Sequence, residues 1–104
     1  MPKIASKMKL HKGFAEPYKN RHNPSWPELS ALLKSFSISD YAIFFDQETD
    51  ILFAVLTVDE EQSLERLKHE QVMKKWWDYM QDIMETNEDN SPVSIPLQEV
   101  FYLP

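Results

Sequence analysis

The chain has 104 residues, a formal net charge of −6, no cysteine and a single glycine, with three Trp, four Tyr and six Phe. That length is a one-domain length, so residues 1–104 are expected to form a single domain. The acidic balance argues against nucleic acid as a partner, because phosphates would repel it. The missing cysteines remove disulfides, thiolate metal sites and a thiol nucleophile.

Ile4, Ser6, Met8 and Leu10 alternate with Ala5, Lys7 and Lys9, the period of a half-buried first strand. His11-Lys12-Gly13 reads as a turn. Phe14, Tyr18 and His22 then recur every fourth residue, which puts them on one helical face with Pro17 near the first turn. Asn23-Pro24 turns the backbone away from helix. Two restarts are open: Asn23 capping with Pro24 first, or Ser25 capping with Glu28 reaching back. Trp26, Leu29, Leu32, Leu33 and Phe36 supply the apolar face of a helix ending near Ser35.

Ile38 to Phe45 and Ile51 to Val58 are aromatic and branched runs separated by the polar turn Asp46 to Asp50. They predict a β-hairpin, with the first run covered on both faces. Asp59-Glu60-Glu61-Gln62 opens a helix with Leu64 and Leu67 inward, and a break follows at His69 to Glu70. A longer helix carries Val72, Met73, Trp76, Trp77, Met80, Ile83 and Met84 on one wide stripe. Asn87 to Pro92 is a polar loop, and alternation from Leu97 to Leu103 predicts a last strand.

The order βαββαβ is the ferredoxin-like arrangement, an α+β fold with a four-stranded antiparallel sheet and helices on one face. The uncovered face is expected to expose Tyr41, Ile43 and Phe45. An apolar sheet face calls for a partner. Two such sheets packed together predict a homodimer, a dimeric α+β barrel with ligand pockets inside. No apolar run reaches the length of a membrane span, and residues 1–12 do not pattern as a secretory signal. A cytoplasmic protein is expected, with neither membrane nor nucleic acid as a partner.

His11, His22 and His69 show no metal-ligand spacing, so no metal site is expected. Neither a nucleophile elbow nor a glycine-rich phosphate loop is present, and no carboxylate dyad stands out. His22 is the candidate proton carrier, since an imidazole titrates near neutrality and Tyr18 lies one turn away. A simple helix-end histidine is the plainer alternative. Trp76-Trp77 offer flat apolar faces with N–H donors, suited to a sugar's C–H face and hydroxyl rim. Both indoles in the core is the alternative there.

Five motifs in order carry a resemblance: Arg21-His22-Asn23-Pro24-Ser25-Trp26-Pro27-Glu28-Leu29, Tyr41-Ala42-Ile43, Trp76-Trp77-Asp78-Tyr79-Met80, Asn90-Ser91-Pro92-Val93-Ser94 and Leu97-Gln98-Glu99-Val100-Phe101-Tyr102-Leu103-Pro104. Together they resemble the L-rhamnose mutarotase family. The resemblance implies a dimeric α+β barrel, interconversion of the α and β anomers of L-rhamnose, and no metal or organic cofactor. It implies His22 as proton donor and Tyr18, Tyr41, Trp76 and Trp77 as sugar-binding residues. The basic stretch Lys3 to Gly13 departs from the family pattern, as does Ser25, where a branched apolar residue is commoner. A non-catalytic barrel that binds a ligand and a barrel oxygenase are the competing classes, since the fold hosts several functions.

Overall fold

A computed structural model describes residues 3–22, 26–60 and 62–104. The elements run β1 (Lys3–Lys9), α1 (Ala15–His22), α2 (Pro27–Ser35), β2 (Ser39–Asp46), β3 (Ile51–Thr57), α3 (Gln62–Leu67), α4 (Gln71–Met80) and β4 (Ile95–Leu97). The sheet order is β2-β3-β1-β4, with every neighbouring pair antiparallel. This is the expected α+β topology, with each helical segment broken in two.

Opposed residues of an antiparallel pair share a face. Ser6, Met8, Ile43 and Phe45 oppose Ala54, Leu52, Ala54 and Leu52 respectively, and Leu52, Ala54 and Leu56 are buried. This is the helix-covered face. Along it one core cluster joins Leu10, Leu29, Leu52, Trp76, Met80, Ile83 and Met84. A second joins Ile38, Leu56, Val58 and Leu67.

The face assignment corrects one expectation. Ile43 and Phe45 lie on the helix side, and Tyr41 points into the cavity there rather than onto the open face. The open face carries Ala42, Phe44, Phe53, Val55, Ile95 and Leu97, interspersed with Lys3, Lys7 and Lys9. Phe44 is 63% exposed. Nor is β2 covered on both faces. It is an edge strand, and Tyr41, Phe44 and Phe45 remain substantially exposed.

Three boundaries also move. The cap of α2 is Trp26, in extended geometry and without a side-chain capping bond. Pro27 explains this: a proline suits the first helical position and biases its predecessor to extended backbone. Asn23 and Ser25, the two caps left open by the sequence, lie outside the described residues, as does Glu61 of the second capping pattern. Next, α4 stops at Met80, where Ile83 N–H donates to the Met80 carbonyl at 3.2 Å and tightens the turn. Ile83 and Met84 nevertheless stay in the core, with Met84 bridged to Leu10.

Finally, β4 is three residues long rather than running to Leu103. Its register sets Leu97 opposite Ala5, Pro96 opposite Ser6 and Ile95 opposite Lys7. Val100, Phe101, Tyr102 and Leu103 are exposed beyond it, with the Lys3 ammonium 5.6 Å from the Tyr102 ring centre.

The turns follow local chemistry. Gly13 adopts φ +87°, a left-handed backbone that suits glycine. In the hairpin, Asp46 accepts from the Glu48 N–H and the Thr49 hydroxyl, and the Asp50 N–H closes onto the Asp46 carbonyl.

Candidate active site

A cavity of about 850 Å³ lies between the helices and the sheet of a single chain. That is within the range of small-molecule sites. Ser6 and Met8 of β1 and Tyr41 and Ile43 of β2 form its sheet side. Tyr18 and His22 of α1 and Trp76 and Trp77 of α4 form its helix side, and residues of the loop from Asn87 to Ser94 also line it. All five residues singled out from the sequence therefore line one cavity. It sits on the helix-covered face, not on the open face where a barrel interior was expected.

The α1 pair is built by helix geometry. Tyr18 and His22 stack with ring centres 4.4 Å apart and planes 33° apart. His22 is the last residue of α1, one helical turn beyond Tyr18. Its Nδ1 reaches back 2.9 Å to the Tyr18 carbonyl oxygen. The ring is half-buried, and burial lowers its pKa from the ordinary histidine value, partly offset by the Tyr18 carbonyl.

Trp76 is 6% exposed and meets His22 edge-on at 5.1 Å between ring centres. It also contacts Trp26 at 5.0 Å and Tyr79 at 5.6 Å. Trp77 is half-buried against the core cluster and lines the same cavity. The two indoles divide the work expected of adjacent helical residues: one is core, the other mostly cavity wall.

Tyr41 is 43% exposed as a residue, yet its phenol is desolvated at the cavity, and burial raises its pKa. The Tyr18 phenol is raised well above the usual tyrosine range, first by burial and then by Tyr41. Both phenols are thus neutral hydrogen-bond donors near neutral pH.

Sequence reasoning missed two supports. Arg21 donates to both carboxylate oxygens of Asp82, at 2.8 and 3.2 Å, and to the Tyr79 carbonyl at 2.6 Å. Its guanidinium lies 4.8 Å from the Tyr79 ring centre. The end of α1 is thereby tied to the end of α4. Asn90 Nδ2 donates to Asp78 at 2.9 Å, tying the cavity loop to α4 beside Trp77. Arg21, Asp78, Tyr79 and Asn90 all lay inside the quoted motifs, but pairs 12 to 61 residues apart leave no local signal.

No group of three or more His, Asp or Glu residues suited to a metal ion occurs among the described residues. Among those residues no helix is long and apolar enough to cross a membrane.

An aromatic-walled cavity with one imidazole and two neutral phenols defines a class: a small-molecule site equipped for proton transfer on a polar, flat-faced substrate. Comparison with known proteins gives that class a family. A family profile described as L-rhamnose mutarotase matches residues 3–103. Relatives named L-rhamnose mutarotase include those of Formosa agariphila, 52% identical, and Bacteroides thetaiotaomicron, 50% identical, each covering 99% of both chains. A crystal structure of the L-rhamnose mutarotase from Formosa agariphila superposes with a TM-score of 0.93 at 51% identity over 100% of both chains. The chain belongs to the L-rhamnose mutarotase family and is an isomerase acting at the anomeric carbon.

Proposed function

We propose that the chain interconverts the α and β anomers of L-rhamnopyranose by acid/base-assisted opening and reclosure of the ring, in support of L-rhamnose catabolism. The observation that carries the site assignment is the convergence of Tyr18, His22, Tyr41, Trp76 and Trp77 on one cavity. His22 is the proton donor to a sugar oxygen. The phenols of Tyr18 and Tyr41 bond the hydroxyls, and Trp76 and Trp77 supply apolar wall for the C–H face and methyl group. Opening the hemiacetal requires one proton to leave the anomeric hydroxyl and one to reach the ring oxygen, which positioned side chains can accelerate by about 10²–10⁴-fold.

The same reading takes the working unit as a homodimer joined through the open sheet face, and the location as cytoplasmic. The apolar row Phe44, Phe53, Val55 and Leu97 supports the dimer. Residues 1–104 act as one domain in each subunit.

Saturation-transfer NMR on L-rhamnose tests the activity. Added protein is expected to raise anomer exchange far above the buffer rate. Exchange unchanged at saturating protein refutes the reading, and a His22→Ala protein of full activity refutes the site.

A further inference from the structure

The His22 hydrogen bond fixes more than the ring's position. Its acceptor, the Tyr18 oxygen 2.9 Å away, is a backbone carbonyl and cannot donate. Nδ1 must therefore carry the proton, and in the neutral ring Nε2 is a bare acceptor. We propose that His22 enters the reaction as a general base at Nε2, taking the proton of the anomeric hydroxyl, while a neutral phenol of the Tyr18–Tyr41 pair protonates the ring oxygen.

The surroundings agree. On α1 the ring stacks on the neutral Tyr18 phenol, and Lys19 and Arg21 are the charged residues next to it in sequence. On α4 it meets the Trp76 edge, and the cavity wall opposite presents Tyr41. Arg21 is engaged by Asp82. Lys19, Lys68 and Asp89 also line the cavity, giving two ammoniums to one carboxylate. Among the described residues no carboxylate hydrogen-bonds the imidazole, whose Nδ1 meets the Tyr18 carbonyl instead. Burial lowers the imidazole's pKa and raises both phenols, in the same sense.

The step balances. The O1–H proton passes to Nε2, C1=O1 forms, the C1–O5 bond breaks, and O5 takes the phenol proton. After rotation about C1–C2, O5 attacks the other face of the aldehyde. The phenolate recovers its proton from O5, and the imidazolium returns its own to O1. The donation proposed above for His22 thus belongs to the closing half of the cycle. Net charge and composition are unchanged.

This rests on the anomer-exchange reading, and the test separates the two. The buffer-corrected kcat/KM is measured as pH is varied on both sides of about 6.5, the ordinary histidine value. Tryptophan fluorescence shows over what range the protein is folded. A base gives activity that rises with pH, with its midpoint below that value, and a plateau above it. Loss of activity as pH rises through the midpoint, or a flat profile, overturns the proposal while leaving a catalytic His22 in place. Full activity in His22→Ala overturns the proposal and the catalytic role of His22 but leaves the anomer-exchange reading standing, which only a wild-type protein that leaves exchange at the buffer rate overturns.

Nitrogen-15 NMR of the His22 ring at neutral pH is expected to show a protonated Nδ1 and an unprotonated Nε2; the opposite tautomer or a cation is contrary. Tyr18→Phe and Tyr41→Phe retain the rings. At least one is expected to lower kcat by about tenfold or more, within the span of general acid catalysis. Wild-type kcat in both removes the phenol from the mechanism.

Discussion

The two helices that flank the cavity are built in opposite ways. α4 is amphipathic: it buries Trp76 and Met80 in the core and turns Lys74, Lys75 and Asp78 outward. α1 is mostly polar and buries no residue fully. Yet α1 carries Tyr18 and His22, while α4 carries the indole wall. The proposed proton donor His22 and its neighbour Tyr18 therefore ride on a helix whose own burial does not secure it. Its place depends on side chains reaching outward: the Arg21 clamp, Tyr18 packed against the core cluster, and the edge contact of His22 with Trp76. Chemistry and stability are accordingly separable on α1 and entangled on α4.

The largest effect that separates them is His22→Ala, expected to slow anomer exchange by about 10²–10⁴-fold. Thermal melting is expected to stay near wild type, because the ring is only half-buried. A large fall in melting temperature would make α1 as structural as α4 and erase the contrast.

Trp76→Ala comes next. The residue is 6% exposed and contacts three other rings, so about 3–5 kcal/mol of stability should be lost by the large-to-small rule for core aromatics. Urea unfolding measures it. A loss of sugar affinity with stability intact would instead make Trp76 a dedicated binding residue.

Arg21→Met tests the clamp. Its ion pair with Asp82 is exposed, and such pairs contribute little to global stability. What it supplies is orientation, because the fork also holds the Tyr79 carbonyl. We expect kcat to fall by about tenfold with little change in KM or melting, the pattern of a misplaced catalytic group. Arg21→Lys should recover only part, since an ammonium lacks the bidentate fork. Unchanged kcat in Arg21→Met would show that Tyr18 and Trp76 suffice to place the helix.

The smallest effect on chemistry is expected from Phe44→Glu, far from the cavity on the open face. Sedimentation should show the dimer dissociating, with monomer stability changed by no more than about 0.5 kcal/mol, as for ordinary surface positions. A dimer that survives would place the subunit interface elsewhere.

Much of this was legible in one dimension. A period-two run marked β1, two aromatic and branched runs marked the β2–β3 hairpin, and the four-residue spacing of Tyr18 and His22 put them on one face. The stripe through Val72, Met73, Trp76 and Met80 marked α4. Where the reading failed, a longer-range constraint had won. The alternation from Leu97 to Leu103 is real, but a strand needs a partner, and β4 pairs with β1 only from Ile95 to Leu97. Ile83 and Met84 fit the α4 stripe yet reach the core from a turn, because burial asks only that a side chain point inward.

The face of the sheet was the costliest misreading. Tyr41, Ile43 and Phe45 share a parity with Ala42 and Phe44 only in reverse, and both sets are apolar, so composition cannot say which looks toward the helices. Pairing with β3 decides it, through Ile43 opposite Ala54 and Phe45 opposite Leu52.

By itself, then, the sequence determined the element order, the α+β class and the residue types of the site, because these depend on local periodicity and side-chain chemistry. The resemblance in five motifs added the sugar. Only the tertiary structure decided that the cavity lies between helices and sheet within one chain, that Arg21 bridges 61 residues to Asp82, and that His22 Nδ1 meets the Tyr18 carbonyl. Each is a matter of which distant groups meet, and a chain's neighbours in space are set by packing, not by its neighbours in sequence.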